Sequence, residues 1–190
     1  MASHSQRPQA ERLVVGITGR IGSGKTSVGR YLTSTHGFQY VRYSQVLSEW
    51  YAKDPEIKNH LQEVGWEVMA GGMQSELNRR LVSQIWPDAN VAVDGLRHPV
   101  DYESLKDSFA ESFRLVYIES PLDLRWERLK GRSRYADFAS FQAADSHPVE
   151  RQIETLRTRA NRVLKNESSL EALYSELDTA IPEFRKEGRA

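Results

Sequence analysis

Cysteine is missing from all 190 residues. Its absence excludes disulfides, thiolate metal centres and cysteine nucleophiles, and it makes a reducing cytoplasm the default expectation. Net charge is missing too, because 26 Lys and Arg balance 26 Asp and Glu. That argues against binding through bulk basicity, so no polymeric nucleic acid is expected as a partner. No apolar run reaches the roughly 18 residues of a membrane span, and no membrane partner is expected. The opening "MASHSQRPQAE" has no apolar stretch of the secretory kind and reads as a disordered leader of residues 1–11. Oligomeric state leaves no mark on the sequence.

What is present is enough for a folded domain. Hydrophobic residues make up 39% of the chain and charged residues 27%, the balance of a globular protein rather than a disordered one. Residues 12–190 are expected to form a single domain. Apolar runs alternate with helical patterns along it. Strands are expected at 12–18, 38–43, 90–94, 113–119 and 162–165. Helices are expected at 26–35, 45–52, 56–70, 74–86, 99–109, 121–130, 138–144 and 149–159. A last helix is expected to open on a capping box of Ser168 and Glu171. Alternating strands and helices predict an α/β fold: three α/β/α layers around a five-stranded, mostly parallel sheet, with a helical lid at about 131–149.

The most specific signal is "GITGRIGSGKTSVGRYL" (16–32). Its core, Gly19 to Thr26, fits G-x-x-x-x-G-K-[ST], the P-loop. Glycines at 19, 22 and 24 permit the positive φ angles that turn successive N–H groups onto a phosphate. The following helix adds its N-terminal dipole. The expected ATP contacts are Gly19, Ile21, Gly22, Ser23, Gly24, Lys25, Thr26 and Ser27. Lys25 reaches the β- and γ-phosphates as a catalytic cation, and the Thr26 hydroxyl ligates Mg²⁺. The guanine motif N-K-x-D of Ras-type GTPases is absent; "LKNES" at 164–168 does not match it.

A second constellation stands in "NVAVDGLRHP". Asp94 ends a buried strand, the place of a carboxylate that supports Mg²⁺. Arg97 follows at the carboxyl edge of the sheet, where an arginine grips an anionic substrate. A third is "LRWERLKGRSR", with Arg125, Arg128, Arg132 and Arg134. A kinase needs cations that arrive as its site closes, and Arg128, Arg132 and Arg134 are the candidates for a catalytic role. Tyr135, Phe138 and Phe141 read as packing of the lid helix, and Asp145 as the anchor of an arginine. His98 and His147 lack ligand spacing and read as packing or surface residues. Arg79 or Arg80 is a further candidate for acceptor contact.

These segments resemble P-loop kinases of the nucleoside monophosphate kinase and dephospho-CoA kinase-like group. "VDGLR" is similar to the D-G-x-P-R segment of nucleoside monophosphate kinases, without its proline. "GITGRIGSGKT" is similar to the phosphate loop of dephospho-CoA kinases. "GFQYVRYSQVL", "LQEVG", "VDGLRHPVDYESL" and "RWERLKGRSR" look like kinase-like domains found with deoxycytidylate deaminase domains. The resemblance implies a cytoplasmic kinase using ATP and Mg²⁺, with a small nucleotide as partner. It implies Ser44 and Arg97 at the acceptor and Asn166 at the adenine pocket. It also implies an aspartate within residues 43–45, where this chain has Gln45, which cannot act as a base. The expected function is phosphorylation of a (deoxy)nucleoside monophosphate or related small nucleotide. The alternatives are a dephospho-CoA kinase and a non-catalytic ATP-sensing module.

Overall fold

The fold is described from a computed structural model, for residues 12–53, 56, 60–131 and 135–187. The expected leader lies outside them. Five strands form one sheet: β1 (Val14–Thr18), β2 (Gln39–Arg42), β3 (Val91–Leu96), β4 (Phe113–Glu119) and β5 (Arg162–Lys165). Their spatial order is β2-β3-β1-β4-β5 and every pairing is parallel. Parallel strands need crossover connections, and helices supply them. Among the described residues these are α1 (Lys25–His36), α2 (Tyr43–Trp50), α3 (Leu61–Ala70), α4 (Gln74–Ser83), α5 (Pro99–Phe109), α6 (Leu122–Leu129), α7 (Phe138–Asp145), α8 (Pro148–Arg157) and α9 (Leu170–Glu187).

The run of β-branched residues in β1 is buried on both faces because each face meets a different core. Val15 and Ile17 pack with Val28 and Leu32 of α1 and with Leu173 and Leu177 of α9. On the other face Val14 packs with Leu77 and Leu81 of α4, Leu105 of α5 and Leu156 of α8. Fully burying one such side chain stabilises the fold by about 1.5–3 kcal/mol. This is the expected three-layer sandwich. It also fixes where a ligand fits. The connection leaving β1 passes over one face through α1, and the connection leaving its neighbour β3 passes over the other through α5. The crevice between them opens at the carboxyl ends of the strands, where open α/β sheets bind ligands.

Several boundaries shift by one to three residues from the sequence reading, and three of the departures have a clear local cause. Strand β3 does not stop at Asp94 but runs on to Leu96. Its register against β1 shifts there: Ile17 faces Asp94 and Thr18 faces Leu96, leaving Gly95 as the extra residue of a bulge. The Thr18 hydroxyl donates to the Leu96 carbonyl at 2.7 Å and closes the ladder beyond the bulge. Pro121 precedes α6 instead of opening it. The cap of α9 is Ser169, not Ser168, because the helix starts at Leu170; the Ser169 hydroxyl accepts from the Ala172 amide at 3.3 Å. The Glu171 carboxylate then bonds its own amide and Ser169, which lowers its pKa. The first residues expected in α3 lie partly outside the described residues, and α3 is described from Leu61.

Candidate active site

The phosphate loop joins β1 to α1. Gly19, Gly22 and Gly24 have φ angles of 142°, 78° and 109°. A side chain at Gly19 would meet the Ile118 carbonyl at 2.4 Å, and one at Gly24 would meet Asn166 Nδ2 at 2.5 Å. The loop is therefore a tight cradle that only glycine can line. Lys25 Nζ folds back onto it, donating to the carbonyls of Gly19 at 2.7 Å and Arg20 at 2.9 Å. Burial, and then the positive charge of Arg97, lower the Lys25 pKa to about 7. The Ser23 hydroxyl is buried with no hydrogen-bond partner. A depressed ammonium and an orphaned hydroxyl inside a nest of amides fit a phosphate chain.

Next to the loop, the bulge in β3 holds Asp94 against α1. Thr26 Oγ1 donates to Asp94 Oδ2 at 3.3 Å, and the Tyr40 hydroxyl donates to the same oxygen at 2.5 Å. The two expected metal residues therefore stand together. They are hard oxygen donors, and one carboxylate with one hydroxyl suits Mg²⁺, which takes its remaining ligands from water and phosphate. No group of three or more His, Cys, Asp or Glu that would suit another metal occurs among the described residues. Tyr40 was not legible as a site residue. It reaches Asp94 across Gly29 of α1, where any side chain would strike the Tyr40 ring at 2.3 Å. Burial and the Asp94 charge raise the Tyr40 pKa, so it stays a neutral donor.

A cavity of about 520 Å³ runs from this loop to the far wall. Gly22, Gly24, Lys25, Thr26 and Ser27 line its loop end, and Ile21 closes it beside Leu129. The opposite wall carries Leu47, Leu61, Met69 and Leu77 of α2–α4, with Ser44, Gln62 and Gln74 as its polar points. Arg97 opens onto the same space. Its side chain pairs with Glu150, which is fully buried at the start of α8. The backbone amides of Arg97 and His98 donate to Asp101 Oδ2 at 2.9 and 3.0 Å, and Gln74 donates to Asp101 Oδ1 at 2.5 Å. Burial pushes the Asp101 carboxyl up. Asp101 had a sequence signal: it stands three residues after the cap His98, with Pro99 between them, as a capping box demands. Glu150 had none, since an acidic residue in a first helical turn reads as dipole compensation.

The arginine segment divides. Arg125 is buried; it donates to Asp145 at 2.5 and 3.1 Å, to the Ile21 carbonyl at 3.0 Å and to the Ser120 carbonyl at 3.1 Å. Arg20 of the phosphate loop grips the same Asp145 at 2.8 and 3.2 Å. Asp145 thus anchors two arginines and ties the lid to the loop. Arg128 lines the cavity at its loop end, donating to Ser120 Oγ at 2.8 Å and to Asn166 O and Oδ1 at 2.9 and 3.0 Å. Asn166 also lines the cavity, and its Nδ2 donates to the Ser23 carbonyl at 2.7 Å, bracing the loop from behind. Arg132 and Arg134 lie outside the described residues.

Other expectations resolve simply. Trp126, Tyr135 and Phe141 pack together with Ile21 of the phosphate loop, and the exposed Phe138 meets the Trp126 ring edge-on. His98 and His147 cap α5 and α8 through Nδ1, accepting from Val100 and Val149. Arg79 and Arg80 pair with Glu76 away from the cavity. Gln45 points outward, donating to Glu49 at 2.9 Å, so it takes no part in the cavity wall. No helix among the described residues is long and apolar enough to cross a membrane.

Comparison with known proteins agrees with this geometry. The profile described as an AAA domain matches residues 15–147. A UPF0200 protein of Pyrobaculum aerophilum is 27% identical over 90% of this chain and 98% of its own length. A dephospho-CoA kinase of Psychrobacter cryohalolentis is 26% identical over 96% of this chain and 91% of its own. A deoxycytidylate deaminase of Schizosaccharomyces pombe is 29% identical over 87% of this chain, which covers 49% of that protein. The shikimate kinase of Acinetobacter baumannii, solved with shikimate, shares the fold with a TM-score of 0.60 at 17% identity, over 92% of this chain and 96% of its own. With its phosphate loop and its five-stranded parallel sheet, the chain belongs to the AAA domain family.

Proposed function

We propose that this protein is an ATP- and Mg²⁺-dependent kinase whose acceptor is a (deoxy)nucleoside monophosphate or a related small nucleotide. The observation that carries the reading is that Lys25 of the phosphate loop and Arg97 beyond β3 line one cavity. Two basic side chains on one cavity suit anionic groups from both substrates.

Gly19–Ser27 would cradle the triphosphate, and Lys25 would leave the loop carbonyls for the β- and γ-phosphates. Thr26 and Asp94 would hold Mg²⁺, with Tyr40 fixing the carboxylate. Bound Mg²⁺ supplies charge neutralisation across the β- and γ-phosphates. Arg97 would orient the acceptor phosphate, Ser44 would contact the acceptor, and the apolar wall of Leu47, Leu61, Met69 and Leu77 would cover its base. An acceptor phosphate oxygen attacks the γ-phosphorus, the bond to the β–γ bridging oxygen breaks, and ADP leaves. That oxygen is already anionic at neutral pH, so no carboxylate base is needed and the outward turn of Gln45 costs nothing. Arg128, Arg132 and Arg134 are the candidates to steady the moving phosphoryl group as the lid closes, and Asn166 the residue nearest the adenine.

The second reading is a dephospho-CoA kinase, which the relatives of that name favour by covering nearly the whole chain. ADP release is measured with each (deoxy)nucleoside monophosphate and with dephospho-CoA, for the wild type and Lys25→Ala. Release that depends on a monophosphate and on Lys25 supports the first reading. Release with dephospho-CoA alone supports the second. ATP binding without release in any reaction would make the chain a sensor.

A further inference from the structure

Glu150 touches both the phosphate loop and Arg97. It is fully buried, in the first turn of α8. Its Oε1 pairs with Arg97 Nη1, and its Oε2 accepts from the Ile21 amide of the phosphate loop at 3.2 Å. Asp101 fixes the backbone of Arg97, so Glu150 and Asp101 together determine where the guanidinium points. The carboxylate's own position is set from the acceptor side. His147 caps α8 and meets the Trp66 ring of α3 edge-on at 5.7 Å, while Gln62 of α3 donates to the Ala144 carbonyl just before α8 at 3.0 Å.

We propose that Glu150 is a positioning residue that aims Arg97 at the acceptor phosphate and holds the donor loop with the same carboxylate. The inference rests on the acceptor role given to Arg97 above. A long arginine side chain without a partner samples many rotamers, and the entropy of ordering it is then charged to substrate binding. A buried carboxylate meets that cost in advance. Glu150→Gln keeps the shape but places an amide NH₂ against Arg97 or the Ile21 amide, so one of the two contacts is lost.

The test is ³¹P NMR titration of inorganic phosphate with the donor loop filled by ADP, for wild type, Arg97→Ala, Glu150→Gln and the double variant. Wild type should bind phosphate, Arg97→Ala should weaken that binding about a hundredfold while leaving it measurable, and Glu150→Gln should weaken it about tenfold, the equivalent of about 1.4 kcal/mol. In the Arg97→Ala background Glu150→Gln should add nothing, which a merely structural role would not produce. Unchanged or tighter phosphate binding by folded Glu150→Gln overturns the proposal, as does absence of phosphate binding by the wild type. Should Glu150→Gln not fold, Glu150→Asp carries the same comparison, with affinity between the two expected. The titration needs no turnover. A wild type that binds phosphate through Arg97 yet transfers no phosphoryl group from ATP to any acceptor sinks the kinase reading and leaves this one standing.

Discussion

Lys25 carries a prediction at the scale of one residue. Its pKa of about 7 in the folded chain lies below the usual 10.5, chiefly through burial and then through Arg97. Between those two values the unfolded chain binds the proton and the folded chain does not. The ligand-free protein therefore gains stability from this group as pH rises from about 7 toward 10.5. Phosphate reverses the imbalance and draws the proton back. Calorimetric titration of ATP at pH 8 in two buffers of different ionisation enthalpy should show proton uptake approaching one per site. Lys25→Arg, already charged, should abolish that uptake, and equal heats in both buffers for the wild type would contradict the account. Gly24 carries a second prediction. Its φ of 109° and the 2.5 Å approach of Asn166 leave no room for a methyl group. Gly24→Ala should cost about 1–3 kcal/mol of stability and remove ATP binding, read by urea unfolding and by calorimetry.

At the scale of elements, α6 and α7 are tied to the phosphate loop by charge as well as by the apolar packing of Ile21 on Phe141. Asp145 at the end of α7 holds Arg125 of α6 and Arg20 of the phosphate loop. Burial pushes its carboxyl up, but hydrogen bonds and charge from Arg125 and Arg20 outweigh it, and the pKa falls below 3.8. Its contribution is complete above that value and is lost as pH falls through the lower, folded value. Removing the charge strands Arg125 in the interior, so Asp145→Asn should destabilise the protein by about 3–5 kcal/mol in urea unfolding at pH 7. The difference from the wild type should shrink below pH 4, and a constant difference would contradict the role of the ion pairs. Tyr40 links strand β2 to Asp94 and Thr26 in a milder way. Tyr40→Phe should leave unfolding within about 1.5 kcal/mol of the wild type, because only one hydrogen bond is lost. It should weaken Mg²⁺ dependence severalfold, measured as the Mg²⁺ concentration that half-saturates ATP binding.

Across the whole molecule, legibility followed periodicity and spacing. The five strands, the order of helices and the phosphate loop were readable because buried parallel strands are continuous apolar runs and the loop's glycines sit at fixed intervals. Thr26 and Asp94 were readable as a pair because the sheet must return beside β1. The contacts that complete the site were not. Tyr40, Asp101 and Glu150 meet the loop and Arg97 only through tertiary packing; Tyr40 looked like one more strand aromatic and Glu150 like one more helix-start acid. The bulge at Gly95 also escaped, since a glycine after an aspartate reads as a turn. Gln45, in the segment 43–45 where the resemblance implied an aspartate, faces solvent, whereas Tyr43 and Ser44 of the same segment line the cavity.

The central claim is that one cavity brings a donor triphosphate and an acceptor phosphate together for direct transfer. The most direct test follows the γ-phosphoryl group itself. ATP labelled at the γ-phosphorus is incubated with Mg²⁺, the protein and each (deoxy)nucleoside monophosphate, and the products are separated. The account predicts label in the corresponding diphosphate, lost in Lys25→Ala and strongly reduced in Arg97→Ala. Label found only in inorganic phosphate, or retained in ATP with every acceptor, would contradict it.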